Sequence, residues 1–395
     1  MKSRVLIIHN EYALAGGERT AVELQRQLFE KNGHPVAYYS RDNTETSRYS
    51  GVERALFFPS TVFSIRTYRD IRKLVREFRP DVAHVHNVFP LISPSAYWAL
   101  RHEGVPIIQT VHNFRLMCSN GLFFRAGGIC ELCKNGKHRN ALRYRCYRDS
   151  RLLSGLYATT LSIHRSVRTW RIIDRFVALN SFTAGKLVDS GVARPEQVTV
   201  LGNFATNAQS SGPGAGPREP AVVFLGRLSV EKGVDVLLEA ARSTPELTVR
   251  ILGEGPNEPE LRRQAQGLPN VEFLGRIDGR ERFEIIRRAR AVVIPSISYE
   301  NFNMVLLEAM SVGTPVIASR LGSLAEILSD GVDSLLFTVG DSLDLAEKLR
   351  IAGSQPDLMA ELGANGFGDT LPKYREEVHY RRLVEIQSEV MERNR

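Results

Sequence analysis

Two stretches in the second half of the chain gather residues suited to holding an anion. The first is Gly226-Arg227-Leu228-Ser229-Val230-Glu231-Lys232-Gly233, directly after the apolar run Ala221–Leu225. A parallel strand followed by a helix puts this loop at the strand's carboxyl end, so Arg227 and Lys232 are two cations where an anion would dock. The second is Pro295-Ser296-Ile297-Ser298-Tyr299-Glu300-Asn301-Phe302-Asn303-Met304, after a strand ending at Ile294. The pattern predicts a helix from near Phe302, with backbone N–H groups of residues 302–304 open to a phosphate and aided by the helix dipole. Glu308 falls in the apolar run Met304–Met310 and needs a partner once buried. A carboxylate can accept two hydrogen bonds from a vicinal diol, as on a ribose or a hexose. Glu300 and Glu308 therefore suit a nucleotide sugar whose diphosphate rests on the helix end. The plainer readings are solvated loop charges for Arg227 and Lys232, and a core acid paired with Lys or Arg for Glu308.

The first half offers His9, Gly16-Gly17-Glu18, His84-Val85-His86-Asn87 and Thr110-Val111-His112-Asn113. Gly16 and Gly17 fit a strand-to-helix loop where backbone approaches a ligand, or a generic turn. His112 follows the apolar strand Pro106–Val111 and so emerges at its carboxyl end. His84 reads as structural, and His86 stays open between the two roles. Cys118, Cys130, Cys133 and Cys146 follow as C-x11-C-x2-C-x12-C. The x2 pair has zinc-knuckle spacing, and four thiolates would make a closed, structural zinc site; free or partly oxidised thiols are the other reading. This insert is basic, with Arg115, Arg125, Lys134, Lys137, Arg139, Arg143, Arg145, Arg148 and Arg151. Leu152–Leu161 follows, then Arg165, Arg168, Trp170 and Arg171. Apolar residues beside Arg and Trp suit an anionic membrane surface; a solvated basic face beside a core helix would look the same.

The elements that must position these residues are short apolar runs alternating with amphipathic stretches. Strands are expected at Arg4–Ile8, Val36–Tyr39, Val82–Val85, Pro106–Val111, Arg175–Ala178 and Gln197–Val200. A second set is expected at Ala221–Leu225, Leu247–Leu252, Val271–Leu274, Ala291–Ile294, Pro315–Ala318 and Ser334–Phe337. Helices between them, such as Glu18–Asn32 and Val234–Arg242, imply βαβ units and parallel sheets covered on both faces. The stretch Ala205–Pro217 has no large apolar residue and reads as a linker. The expected organisation is a domain over 1–204 with the cysteine insert at 113–150, a linker at 205–218 and a second domain over 219–372. A helix over 373–395 follows, with Val378, Leu383, Ile386 and Val390 on one stripe, packing back toward the first domain. Two doubly wound α/β domains place ligands at strand carboxyl ends, in a cleft between them.

Composition sets the outer bounds. The 395 residues are 43% hydrophobic and 24% charged, which excludes collagen-like, coiled-coil and wholly disordered chains. Lys and Arg number 52 against 44 Asp and Glu, a formal +8 that favours anionic partners. Four cysteines are too few for a disulfide scaffold. No apolar run reaches the roughly 18–20 residues needed to cross a bilayer. Met1–Asn10 is too short in apolar residues for a secretory signal, so a cytoplasmic chain is expected.

Glu300 and Glu308 form an E-x7-E motif in a setting of strand, Pro-Ser loop and final Glu308-Ala309-Met310. With Gly226–Gly233, Gly253-Glu254-Gly255-Pro256, Gly313-Thr314-Pro315-Val316-Ile317-Ala318-Ser319 and Gly16-Gly17, the chain resembles the retaining glycosyltransferases of family 4. The resemblance is strongest from about 220 to 340. It implies a GT-B fold: two Rossmann-like domains facing each other across a cleft, the first taking the acceptor and the second the donor. It also implies catalytic roles for His112, Arg227, Lys232 and Glu300. Arg227 and Lys232 would bind the donor diphosphate, Glu308 the ribose, and Glu300 and His112 the transferred sugar. The donor set it implies comprises Gly16, Gly17, Gly226, Gly253, Glu300, Asn301, Phe302, Asn303, Met304 and Glu308, with Arg276 and Ile277 beside the base. Asn301 and Asn303 stand where Pro or Gly are commoner in that family.

A departing nucleoside diphosphate gains negative charge, which fixed cations and amides stabilise. Metal-dependent transferases use Asp-x-Asp for this, and the chain has none, so Arg227 and Lys232 are expected to act without a catalytic metal. The expected partners are a nucleotide-sugar donor and a glycan or lipid-linked acceptor, with no nucleic acid. A nucleotide-sugar 2-epimerase on the same fold is the alternative enzyme. A basic membrane- or nucleic-acid-binding module would leave the Arg227/Lys232 and Glu300/Glu308 pairs unexplained.

Overall fold

The computed structural model describes residues 2–12, 16–206, 212 and 216–394, the side chains of 52–55 excepted. Within the expected linker, residues 207–211 and 213–215 lie outside the described residues. The chain divides into two compact units. One comprises Met1–Phe123, Cys130–Gly202 and His379–Arg395; the other comprises Phe124–Ile129 and Asn203–Val378.

In chain order the strands up to residue 200 are β1 (Val5–Glu11), β2 (Val36–Asp42), β3 (Val82–Asn87), β4 (Ile107–Val111), β5 (Phe124–Arg125), β6 (Gly128–Ile129), β7 (Arg175–Ala178) and β8 (Val198–Val200). β5 and β6 form a two-residue antiparallel hairpin that the apolar pattern does not announce. The other six form one parallel sheet in the order β2-β1-β3-β4-β7-β8. Residues Val5–Ile8 are fully buried, as expected for a strand covered on both faces. Strand order reverses between β1 and β3, which opens a crevice at their carboxyl ends.

The final helix, Glu376–Arg393, belongs to this unit from His379 onward and buries Leu383, Ile386 and Val390 against Val5, Phe29 and Val82. Val378 does not join that stripe and is 42% exposed. It lies in the helix's first turn, where its neighbour His379 turns inward and Nδ1 meets the Gly202 carbonyl at 2.9 Å.

The second unit holds β9 (Glu219–Leu225), β10 (Thr248–Leu252), β11 (Val271–Gly275), β12 (Ala289–Ile294), β13 (Val316–Ser319) and β14 (Ser334–Phe337). They form a parallel sheet in the order β11-β10-β9-β12-β13-β14, with its reversal between β9 and β12. Alternation along β9 sends Val222 and Phe224 into one apolar layer, and Val223 and Leu225 into the other. Both layers are needed to fix the loops that leave β9 and β12.

Buried histidines give the first unit a defined acid sensitivity. His84 is fully buried between the side-chain amides of Gln25 and Gln387, and burial pushes it down to about 3. Burial also lowers His138 and His379 to about 4 each. Their ordinary value is about 6.5, so between pH 6.5 and 4 the unfolded chain binds more protons and stability falls as pH falls. Each adds up to roughly 1.4 kcal/mol per pH unit within that window. Urea midpoints should therefore drop steadily from pH 7 to 4.5, and a flat profile would contradict the burial of these rings.

Candidate active site

The carboxyl ends of β9 and β12 meet where the second sheet reverses, and the two loops leaving them are locked together. Gly233 is left-handed (φ 66°), and a Cβ there would lie 2.0 Å from the Pro295 carbonyl oxygen. The Ile297 amide donates to the Glu231 carbonyl at 3.0 Å. These contacts bring Lys232 to Glu300: Nζ donates to Oε1 at 2.7 Å, with side chains 26% and 12% exposed. The Ser296 hydroxyl donates to the same oxygen at 2.6 Å, and Ser323 donates to the Glu300 carbonyl. Arg227 stands more open, donating to Glu231 at 2.9 Å and to Ser229.

Glycines stitch the neighbouring strand ends. The Gly226 amide donates to the Leu252 carbonyl, and the Gly253 amide donates to the Gly275 carbonyl. Gly253 has φ 142°, and its Cβ would fall 1.9 Å from the Gly226 oxygen. Backbone therefore lies bare at this end of β9–β11. Arg276, just beyond β11, is exposed and pairs with Asp278, while Ile277 leans on the apolar layer beneath.

The helix expected from Phe302 begins two residues later and runs Met304–Ser311. Asn303 is extended and its side-chain oxygen accepts from the Val305 amide, so it is the cap and not part of the helix. Phe302 instead packs edge-on against Tyr374, and Asn301 is buried. Glu308 is buried, as its apolar neighbours require. Arg282 donates to its Oε1 at 2.9 Å, while Oε2 is buried without a partner. Burial raises its pKa, with Arg282 opposing. The core-acid reading thus accounts for one carboxylate oxygen and leaves the other unused.

In the first unit the strand ends gather a second cluster. His86 Nδ1 and His112 Nε2 are 2.8 Å apart, with the rings stacked at 28°. Burial lowers both, His112 to about 4, so His112 is neutral near pH 7. His9 Nε2 meets Glu18 Oε1 at 3.1 Å, and Asn113 donates to Glu18 Oε2 at 3.0 Å. Burial pushes Glu18 up, but its bonds to His9 and Asn113 and the nearby His112 hold it below the usual carboxylate range. Gly16 caps the helix Gly17–Lys31 in ordinary extended backbone, and among the described residues nothing lies within 4 Å of where its Cβ would be. Glu18, Ser296 and Arg282 lie outside the sequence-derived site. Glu18 and Arg282 meet Asn113 and Glu308 from 95 and 26 residues away, which no local spacing encodes, whereas Ser296 is four residues from Glu300 in the same loop.

Cys133 packs with Ala141, Ala158 and Cys146, and burial together with the other thiols pushes it up to about 12. Cys118 Sγ bonds the Asn120 oxygen, and Cys130 is half-buried. Among the described residues no group of three or more His, Cys, Asp or Glu is arranged to hold a metal ion. The helix Arg151–Ser166 turns Leu156, Tyr157 and Leu161 into the core and Trp170 is 4% exposed, while Leu152 at the helix start is 70% exposed. Among the described residues no helix is long and apolar enough to cross a membrane.

Two parallel α/β units, one with cations and carboxylates and one with histidines at its sheet's reversal, define a protein whose ligand sites lie at strand ends. The family described as "Glycosyl transferases group 1" matches residues 219–352, and "Glycosyltransferase Family 4" matches residues 14–206. The chain belongs to glycosyltransferase family 4. It is 30% identical over 317 residues to a phosphatidyl-myo-inositol mannosyltransferase of Mycobacterium leprae, covering 76% of this chain and 71% of that one. Its fold matches Anabaena HepE, solved with UDP-glucose, at TM-score 0.68 and 17% identity over 98% of this chain and 100% of the other. Sucrose-phosphate synthase of Thermosynechococcus elongatus matches at TM-score 0.70 and 18% identity, over 98% and 99%. The fold is that of the GT-B glycosyltransferases, and the chain is a glycosyltransferase.

Proposed function

We propose that the chain moves a hexose from a nucleoside diphosphate-sugar to a hydroxyl of a glycan or lipid-linked saccharide, keeping the anomeric configuration and using no catalytic metal. The observation that carries this reading is the Lys232–Glu300 pair at the reversal of the second sheet, with Glu308 Oε2 unpaired nearby in sequence. Lys232 would exchange its bond to Glu300 for the donor's diphosphate, with Arg227 beside it. Glu308 would keep Arg282 on Oε1 and accept a ribose hydroxyl on Oε2. Glu300, freed of its cation, would face the sugar. His112 is assigned to the same sugar through the family resemblance.

In the reaction the bond from the anomeric carbon to the phosphate oxygen breaks and the bond to the acceptor oxygen forms on the same face. The acceptor's proton passes to the departing phosphate. The extra charge on that phosphate is what Arg227, Lys232 and the end of helix Met304–Ser311 would stabilise.

A thermal-shift screen of nucleoside diphosphates and nucleotide sugars tests the donor assignment, since a ligand at 100 times its Kd stabilises by about 2.7 kcal/mol. One diphosphate and its cognate sugar should raise Tm, and turnover with that donor should survive excess EDTA. The mannosyltransferase relative and the UDP-glucose complex of HepE support starting with GDP-mannose and UDP-glucose. Release of a free 2-epimer without acceptor, seen by NMR, would replace this reading.

A further inference from the structure

Arg115 follows His112 by three residues, in the short turn Phe114–Leu116 that Asn113 caps. Its guanidinium carbon lies 5.9 Å from the ring centre of Tyr12, 5.6 Å from Tyr147 and 5.4 Å from Tyr157. The Nε atom is buried without a partner. Burial pushes the Tyr147 phenol up, and the charge of Arg115, the bond with Tyr157 and the charge of Arg148 together bring it below its ordinary value. Among the described residues no carboxylate pairs with Arg115. Glu18, which it feels electrostatically, gives its two oxygens to His9 and Asn113.

Arg175 also has an orphaned Nε, but the terminal nitrogens of Arg175 and Arg218 have oxygen acceptors. Arg175 meets Glu389 and Thr199, and Arg218 donates to the carbonyls of Arg287, Ala289 and Gly313. A guanidinium taken out of water needs an acceptor or an anion, and neutral phenols and ring faces meet that need only in part. Arg115 also lines a cavity of about 20 Å³ together with His86, His112 and Asn113. That is room for one oxygen atom of a ligand. His112, Asn113 and Arg115 are each partly exposed, so the recess is reached from outside.

We propose that Arg115 is an oxyanion subsite beside His112, and that the acceptor carries a phosphate ester or a carboxylate close to the hydroxyl that is glycosylated. A planar fork of donors matches either group. The inference rests on the proposed transferase reading and adds the acceptor's chemical class to it.

The test uses full-length protein with 15N-labelled histidine rings, His112 being assigned through His112→Gln. Inorganic phosphate and acetate are titrated separately, with UDP as a donor-side control. At least one oxyanion should shift the His112 ring resonances with millimolar affinity. Arg115→Met should weaken that affinity at least about 10-fold, and Arg115→Lys should restore part of it. The UDP-induced rise in Tm should persist in both variants, which also reports that they fold. No oxyanion effect in the wild type, or equal affinity in Arg115→Met, overturns the subsite. Loss of the UDP response on Arg115→Met would move Arg115 to the donor and overturn the acceptor assignment. Absence of any UDP or nucleotide-sugar response in the wild type would count against the transferase reading, leaving the oxyanion titration to be judged by itself.

Discussion

Replacing Lys232 by alanine should lower turnover by about 10²–10³, the scale for losing one fixed donor to developing charge. Lys232 is the cation that the fold holds most firmly at the end of β9, since its amine is already oriented by Glu300 at 2.7 Å. Arg227 is 51% exposed at its side chain and is tied to Glu231, so it is the more mobile of the two. The loss should fall on kcat more than on the donor's KM, because the phosphate's charge grows as the glycosidic bond breaks. Stability should change little. Without its ammonium partner Glu300 still accepts from Ser296 at 2.6 Å. Lys232→Arg keeps the charge but replaces a compact ammonium with a planar fork, so it should recover only part of the rate. Steady-state kinetics with the donor and acceptor identified by screening would decide the matter. Turnover of Lys232→Ala within about threefold of the wild type would remove Lys232 from the proposed chemistry.

The reason Lys232 could be picked out from sequence lies in the sheets. Each central strand is a run of four to seven residues buried on both faces, such as Val5–Ile8 or Ala221–Leu225, and Gly, Pro or polar residues end it. Such runs need no periodicity to be recognised, and their alternation with helices implies the parallel order. Once β9 and β12 are placed, the loops after them are known to leave the carboxyl edge. The residues that close the site are harder to read. Arg282 meets Glu308 from 26 positions away, on the separate helix Gly279–Arg288. Asn301 and Asn303 are both good caps by type, and only the extended backbone at 303 shows which one reaches Val305.

Arg115 illustrates the same limit from the other direction. In a basic segment it counts as one more surface charge. Tyr12, Tyr147 and Tyr157 enclose it only because β1, the cysteine insert and the helix after it converge, and nothing within ten residues signals this. Charge composition reports what a chain must solvate or pair, and topology decides which.

Gly233→Ala tests whether the loop geometry, and not only the charge of Lys232, is what the fold supplies. The position has φ 66° and ψ 27°, a left-handed conformation that costs an L-residue roughly 1–3 kcal/mol. A Cβ would also sit 2.0 Å from the Pro295 oxygen and 3.2 Å from the Ile297 side chain. The Pro295 oxygen is backbone, one residue past the end of β12, so it cannot swing aside like a flexible side chain. The two loops must part, and the Ile297–Glu231 amide bond and the Lys232–Glu300 pair span that same gap. Every ionisable group of the proposed site remains, yet turnover should fall about as far as in Lys232→Ala. The melting temperature should fall too, where Lys232→Ala leaves it nearly unchanged. Kinetics and thermal unfolding on both variants separate the outcomes. A Gly233→Ala enzyme with wild-type turnover and stability would mean the loops are not locked as described. One that is destabilised but fully active would show that the Lys232–Glu300 geometry is not needed for transfer.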